Sequence, residues 1–179
     1  MSERSEALAQ QFEQVTSALA SLIESCSDQQ WRSHCAGETW PVGVTAHHVA
    51  SGHIAAAPFV EMLANGQPLP PLTAEMLDQM NAQHASEHAN CTRAETLALL
   101  RANSATTARM LRGLSDEQLD RSAPIPLLGG ATVTAEQFGN GLLVQSVQEH
   151  VDSIRAALYE QLRARLKPGI TLPRCPALL

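Results

Sequence analysis

Seven histidines punctuate a chain of 179 residues, and three of them fall where helical spacing turns them inward. Successive residues of an α-helix turn by about 100°, so positions three, four and seven apart share a face. Between residues 40 and 64, His48, Gly52, Ala55, Phe59 and Met62 lie on one line, read here as the apolar face, which points His48 into the interior. His47 and His53 flank that line and are expected to be more exposed. Leu77, Met80, His84 and His88 share a second face, turning His84 inward with Asn81 beside it. Val147, His150, Val151 and Ile154 share a third. Burying an imidazole without a partner is costly, so each needs a hydrogen bond or a metal. Metal sites in helical bundles are built from side chains converging from facing helices. Neutral imidazoles suit zinc, nickel, iron or copper. Three protein ligands and one open position make a catalytic zinc site. The alternative for each histidine is a core position satisfied by a carbonyl or carboxylate, and periodicity alone leaves both open.

The elements that must position these residues are helices. Leu8, Phe12, Val15, Leu19 and Leu22 recur at steps of four and three, predicting a helix over about 3–25. Residues 28–39 read as irregular. A second helix is predicted from Trp40-Pro41 to Ala64, stopped by Asn65-Gly66. A proline-rich loop leads to a third over about 73–90. Thr92-x-x-Glu95 is a capping box that opens a fourth over 93–112, ended by Gly113. Ser115 to Gln118 reads as one short capped turn. Residues 121–133, with Pro124, Pro126, Gly129 and Gly130, exclude a helix and predict a hairpin-like excursion. Thr134-x-x-Gln137 caps a long last helix over about 135–166, ahead of Pro168-Gly169. The expected architecture is an all-α four-helix bundle over residues 1–167, followed by an irregular C-terminal tail over 168–179.

Composition narrows the function classes. Twelve Lys+Arg against 18 Asp+Glu give a net charge of −6, and no basic cluster occurs, which argues against nucleic acid and anionic membrane surfaces. Aromatic residues are 3% of the chain, and alanine is abundant, which favours helices over strands. No apolar run reaches the length of a bilayer span. The polar start MSERSEALAQ has no secretory pattern. The cysteines at 26, 35, 91 and 175 form neither a zinc knuckle nor a disulfide framework, and read as reduced thiols of a cytoplasmic protein.

At this point a family pattern emerges. The stretch Trp40-Pro-Val-Gly-Val-Thr-Ala-His47-His48-Val-Ala resembles the W-x(7)-H-[LIV]-A segment of the DinB-like superfamily. That superfamily includes the YfiT-like proteins and the mycothiol-dependent maleylpyruvate isomerases. Met80-Asn81-Ala-Gln-His84-Ala-Ser-Glu-His88 and Leu114-Ser-Asp-Glu-Gln-Leu119, followed by Gly129-Gly130, are similar to one branch of it. Leu143 to Arg155 aligns with the family's H-x-x-x-H-x-x-x-I-R. The resemblance spans residues 8–166. It implies a four-helix bundle holding a metal, zinc or nickel foremost, on one histidine of the second helix and two of the last. His48 and His150 match two of those positions, and Ser146 stands where the middle ligand belongs. Serine cannot replace the reach or basicity of imidazole. His84 is the expected substitute, giving His48, His84 and His150 as candidate metal ligands; a weakly held or lost metal is the other outcome.

The resemblance also implies function. One expectation is a metal-dependent enzyme, a hydrolase or thiol-dependent transferase, in which the metal activates water or a thiol against a small-molecule substrate. Asn81 would orient a substrate carbonyl, although a backbone-bonded polar role serves it equally. The other expectation, motivated by Ser146, is a non-enzymatic ligand-binding or stress-response module with a degenerate metal site. Trp40 reads as a core anchor. Arg155 is expected to pair with a carboxylate of a neighbouring helix or to lie near a dimer contact, since the resemblance implies a homodimer. His88, one turn beyond His84, completes a His-x-x-x-His pair of valid zinc spacing, but a polar end-of-helix position near Asn90 is the better reading; His34, His47 and His53 read as ordinary.

Overall fold

A computed structural model describes residues 2–35 and 37–165, with side chains described as far as Arg163. The tail expected over 168–179 lies outside the described residues, as does Cys175. The elements are α1 (Glu3–Ser25), α2 (Asp28–Trp31), α3 (Val42–Ala64), α4 (Ala74–Glu87), α5 (Arg93–Arg112) and α6 (Asp116–Asp120). Strands β1 (Ser122–Ile125) and β2 (Ala131–Thr134) follow, then α7 (Ala135–Gly139), a π-helical segment Asn140–Gln145 and α8 (Ser146–Arg165).

Helix starts are written in the capping residues. Thr92 with Glu95, Ser115 with Gln118 and Thr134 with Gln137 all close as capping boxes, each satisfying free backbone N–H groups at a helix start. A fourth box, Ser27 with Gln30, opens α2 inside the stretch read as irregular. The predicted excursion is an antiparallel hairpin that pairs Ser122 with Thr134 and Ile125 with Ala131 around a 3₁₀ turn at Pro126–Leu128. Its Gly129 and Gly130 both adopt positive φ.

Helix directions follow from specific contacts. The Phe12 ring lies edge-on against His53, so α1 and α3 run antiparallel, with Leu8 and Val60 meeting at Gly139. Arg112 reaches Glu6 and Glu13 while Arg101 reaches Glu24, so α5 is also antiparallel to α1. Asn103 donates from Nδ2 to the Ala50 carbonyl, and the Cys91 thiol to the Gly43 carbonyl, so α3 and α5 are parallel. Gly139 against Val60 and His150 against His48 set the α7–α8 helix antiparallel to α3. The four long helices thus run up, down, down, up, and the loop carrying α4 makes the return crossing between α3 and α5.

The interior divides into two apolar clusters. One, at the end that carries the site, joins Val15, Leu19, Ile23, Ala46, Val49, Leu100, Val147, Val151 and Ile154. The other, toward the hairpin, joins Leu8, Phe12, Val60, Leu63, Leu111, Leu119, Ile125 and Leu143. Between them lie His53 and Thr107, 3% and 1% exposed.

The facing of α3 corrects the sequence reading. Its buried residues run through Val42, Ala46, Val49, His53, Ala57, Val60 and Ala64, and Val42 through His47 are all buried. The line from His48 to Met62 is half-buried or exposed instead. Valine and alanine occupy most of the circumference of α3, so its apolar spacing marks no single face. Helix α4 has no fully buried residue; it lies on α3 through the half-buried Leu77, Asn81, His84, Ala85 and His88, with Met76 and Met80 turned out.

Candidate metal centre

Two short histidine pairs meet at one end of α3. His47 and His48 are neighbours, so their side chains diverge by about 100° around the helix. His84 lies in the last turn of α4 and His88 caps its C-terminal end one turn on, so the two project together. His47 lies on the α4 side: its ring stacks on His88 with centroids 4.0 Å apart, and its Nδ1 is 3.3 Å from Nε2 of His84. The His84 and His88 centroids are 4.6 Å apart. One ligand nitrogen from each of His47, His84 and His88 lies within 4.8 Å of the others. His47, predicted to face outward, is 9% exposed, because α4 covers it. His53 is buried as well, turned toward Phe12 of α1 and away from this group.

His48 continues the chain of imidazoles on the other side. Its ring meets His84 edge-on at 5.3 Å and His150 at 5.4 Å. The structure therefore brings the three predicted ligands together as neighbours through His48, while His84 also belongs to the tighter group with His47 and His88. Asn81 is half-buried one turn before His84. Ser146 is half-buried at the start of α8, directly after the π-helical segment. Such insertions of one extra residue per turn recur at functional sites.

A loop completes the surroundings. His150 shares a 2.8 Å hydrogen bond through Nδ1 with Glu38, and Ser153 donates to the other oxygen of the same carboxylate at 2.5 Å. Trp40 is half-buried and packs edge-on against His48 at 5.3 Å. The buried anchor at this end is Trp31, not Trp40. Its indole N–H donates to the Cys91 carbonyl at 2.9 Å, and the Cys91 thiol donates to the Gly43 carbonyl. This clasp holds the segment after His88 against the turn before His47. Beside it a cleft of about 660 Å³ is lined by Trp31, Pro41, Val44, Asn90, Cys91 and Arg93, among others. Arg155 pairs within its own helix, with Asp152 at 2.9 Å, and not with a neighbouring helix as expected. Cys26, Cys35 and Cys91 are free thiols.

The electrostatics favour neutral imidazoles. Burial, with the neighbouring histidines adding, pushes His48 and His84 down to about 4 and lowers His47. Desolvation raises the Glu38 carboxyl, but the hydrogen bonds from His150 and Ser153 outweigh it and leave Glu38 below its ordinary value. A neutral imidazole offers a lone pair, which is what a metal takes. Nitrogens bound about 2.0–2.1 Å from a tetrahedral zinc lie about 3.3–3.4 Å apart, so the 3.3 Å between His47 and His84 already has that spacing. The donor set therefore fits a divalent metal of the zinc or nickel kind.

Sequence reasoning set His47 and His88 aside as ordinary, although His84-x-x-x-His88 has zinc spacing, and it passed over Glu38. An adjacent His-His pair on one helix together with His-x-x-x-His on the next was the signal for the first two. Glu38 lies in a loop, where no periodicity marks it.

Comparison with known proteins agrees on the fold. YfiT from Bacillus subtilis, described as a probable metal-dependent hydrolase with an unusual four-helix bundle topology, superposes with a TM-score of 0.68 at 19% identity, covering 90% of both chains. An uncharacterised protein from Clostridium difficile 630 gives 0.70 at 14% identity, covering 93% of this chain and 99% of that one. A mycothiol-dependent maleylpyruvate isomerase gives 0.60 at 15% identity, with 88% of this chain matched to 62% of that one. No curated protein matches in sequence. No helix among the described residues is long and apolar enough to cross a membrane. The sequence profile of the DinB superfamily matches residues 11–144, three quarters of the chain and four of the five clustered histidines. The protein belongs to the DinB superfamily.

Proposed function

We propose that the protein is a metal-dependent enzyme acting on a small molecule, a hydrolase or a thiol-dependent transferase. The observation that carries this reading is the convergence of three imidazole nitrogens, from His47, His84 and His88, within 4.8 Å of one another. A zinc or nickel ion held there would take these three histidines as its protein ligands. An ion with an open position lowers the pKa of bound water or thiol and so supplies a nucleophile near neutral pH. The chain's own residues do the rest. His47, His84 and His88 would hold the ion, and Trp31 and Cys91 keep His88 against His47. Asn81, one turn from His84, orients a substrate carbonyl.

A second arrangement places the metal between His48, His84 and His150. It is favoured by the Glu38 carboxylate on Nδ1 of His150, since metal-bound histidines commonly give their second ring nitrogen to a carboxylate. His84 serves both arrangements. The test is metal content of protein purified without a histidine tag. Loss of metal in His84→Ala with retention in His150→Ala assigns it to the first group; loss in His150→Ala with retention in His88→Ala assigns it to the second. Wild-type protein that takes up neither zinc nor nickel overturns the enzyme reading and leaves a ligand-binding module. A homodimer in the cytoplasm is the proposed setting, checked by light scattering after gel filtration and by cell fractionation.

A further inference from the structure

The loop before α3 contains an anomaly beside the histidine group. Thr39 has φ of 61°, the only positive φ outside glycine among the described residues. A β-branched residue is disfavoured there, because Cβ crowds the backbone. Such strain persists where surrounding structure over-determines it, and it collects at functional sites. Here the loop is tightly closed. The Thr39 amide donates to the Cys35 carbonyl at 3.0 Å, that of Cys35 to Trp40 at 2.7 Å, and that of Val42 to Ser33 at 2.7 Å.

The residues on either side of Thr39 show what the turn accomplishes. Glu38 reaches His150, and Trp40 meets His48, two rings that touch each other. Gly37 lets the loop lie on α8: a Cβ there would come 3.2 Å from the Ser153 hydroxyl that grips Glu38. Both carboxylate oxygens of Glu38 are occupied, one by Nδ1 of His150 and one by Ser153. The Glu38 and His150 side chains are 15% and 21% exposed.

We infer that Glu38 is a positioning residue that fixes His150 as the Nδ1–H tautomer, leaving the Nε2 lone pair for the site, and that the Thr39 turn exists to deliver it. An ionised carboxylate only accepts hydrogen bonds, so the facing ring nitrogen must carry the hydrogen. In neutral imidazole the other nitrogen is then the acceptor. The inference takes the histidine group to be the functional centre. It concerns the apo ring, however, and holds whether or not a metal is captured.

The experiment is nitrogen-15 NMR of histidine-labelled, metal-stripped protein at pH 8, with the His150 resonance assigned by its loss in His150→Gln. Wild type is expected to show His150 as Nδ1–H. Glu38→Ala is expected to release the ring toward the Nε2–H form that free imidazole side chains prefer, whereas a loop anchor alone would lower the melting temperature without changing the tautomer. Ser153→Ala leaves His150 its partner and is expected to keep the Nδ1–H form; an Nε2–H ring in that variant would also overturn the inference, which keeps the test alive if Glu38→Ala does not fold. Thr39→Gly relieves the turn, and is expected to raise the melting temperature while His150 stays Nδ1–H. His150 found as Nε2–H in wild type, or unchanged in a folded Glu38→Ala protein, overturns the inference. Metal uptake measured in parallel separates this from the enzyme reading: failure to bind metal with the tautomer intact leaves the inference standing.

Discussion

Nδ1 of His47 and Nε2 of His84 lie 3.3 Å apart across the α3–α4 contact, with His88 stacked on the first ring. Helix α4 buries no side chain fully, so beyond the Trp31–Cys91 clasp it is only lightly held against α3. An ion at this point would be a structural clamp as well as a reagent. Because binding to the folded state alone adds stability in proportion to the logarithm of ligand over Kd, micromolar zinc or nickel is expected to raise the melting temperature by several degrees. His84→Ala should abolish the rise, and thermal denaturation with and without metal checks it.

Acid should destabilise the protein. His48, His53 and His84 titrate at about 4 in the folded protein against an ordinary 6.5, chiefly because burial penalises the charged ring. Between those values the unfolded chain binds more protons than the folded one, so stability rises with pH across the window and is lost as pH falls from 6.5 toward 4. Denaturant midpoints of the metal-free protein at pH 7.5, 5.5 and 4.5 should fall in that order. In metal-loaded protein the loss should begin over the same window, set by the unfolded chain, and run on to lower pH, because a bound ion keeps its ligand imidazoles deprotonated.

How much of this was legible in the sequence depends on how a helix advertises its buried side. Helix α1 alternates large apolar residues with polar ones, and its stripe through Leu8, Phe12, Val15 and Leu19 is the buried face. Helix α3 is built largely from valine, alanine and glycine and touches α5, α8, α7, α6 and α4, so its periodicity marks the wrong line and exchanges the burial of His47 and His48. The capping boxes are visible wherever a Ser or Thr stands three before a Glu or Gln, and Ser27 with Gln30 obeys the same rule at the edge of the stretch read as irregular. The strained turn at Thr39 has no sequence mark, since what makes it tolerable is Ser153 and His150 more than a hundred residues away.

Gly43 should prove irreplaceable. A Cβ at this position would lie 2.6 Å from Cε2 and Nε1 of Trp31, an indole held on its other side by the Cys91 carbonyl. A rigid ring cannot yield as a flexible side chain would. Overpacking of this kind costs about 1–3 kcal/mol. Gly43→Ala is expected to lower stability by that order in chemical denaturation and, by displacing the clasp behind His88, to weaken metal binding in a titration. Unchanged stability would mean that Trp31 has another place to go.

His53 presents the opposite case, a residue whose removal should help. It is 3% exposed, both ring nitrogens lack a hydrogen-bond partner, and it sits between the two apolar clusters with Phe12 edge-on at 4.8 Å. The Asn103–Ala50 bond sets the parallel register of α3 and α5, which puts Ser104 and Thr107 at the same height, and their buried hydroxyls are unpaired too. A buried polar group left unsatisfied costs about 1–3 kcal/mol. His53→Leu replaces it with a side chain of similar bulk that needs no partner. The variant is therefore expected to be more stable by about 1 kcal/mol at pH 7 and to lose part of the acid sensitivity, since a group held near 4 no longer titrates. Metal uptake should be unaffected, because His53 points away from the imidazole cluster. A loss of stability instead would show that the imidazole is bonded, most simply to internal water shared with Thr107, and a high-resolution crystal structure would then reveal that water at the centre of the bundle.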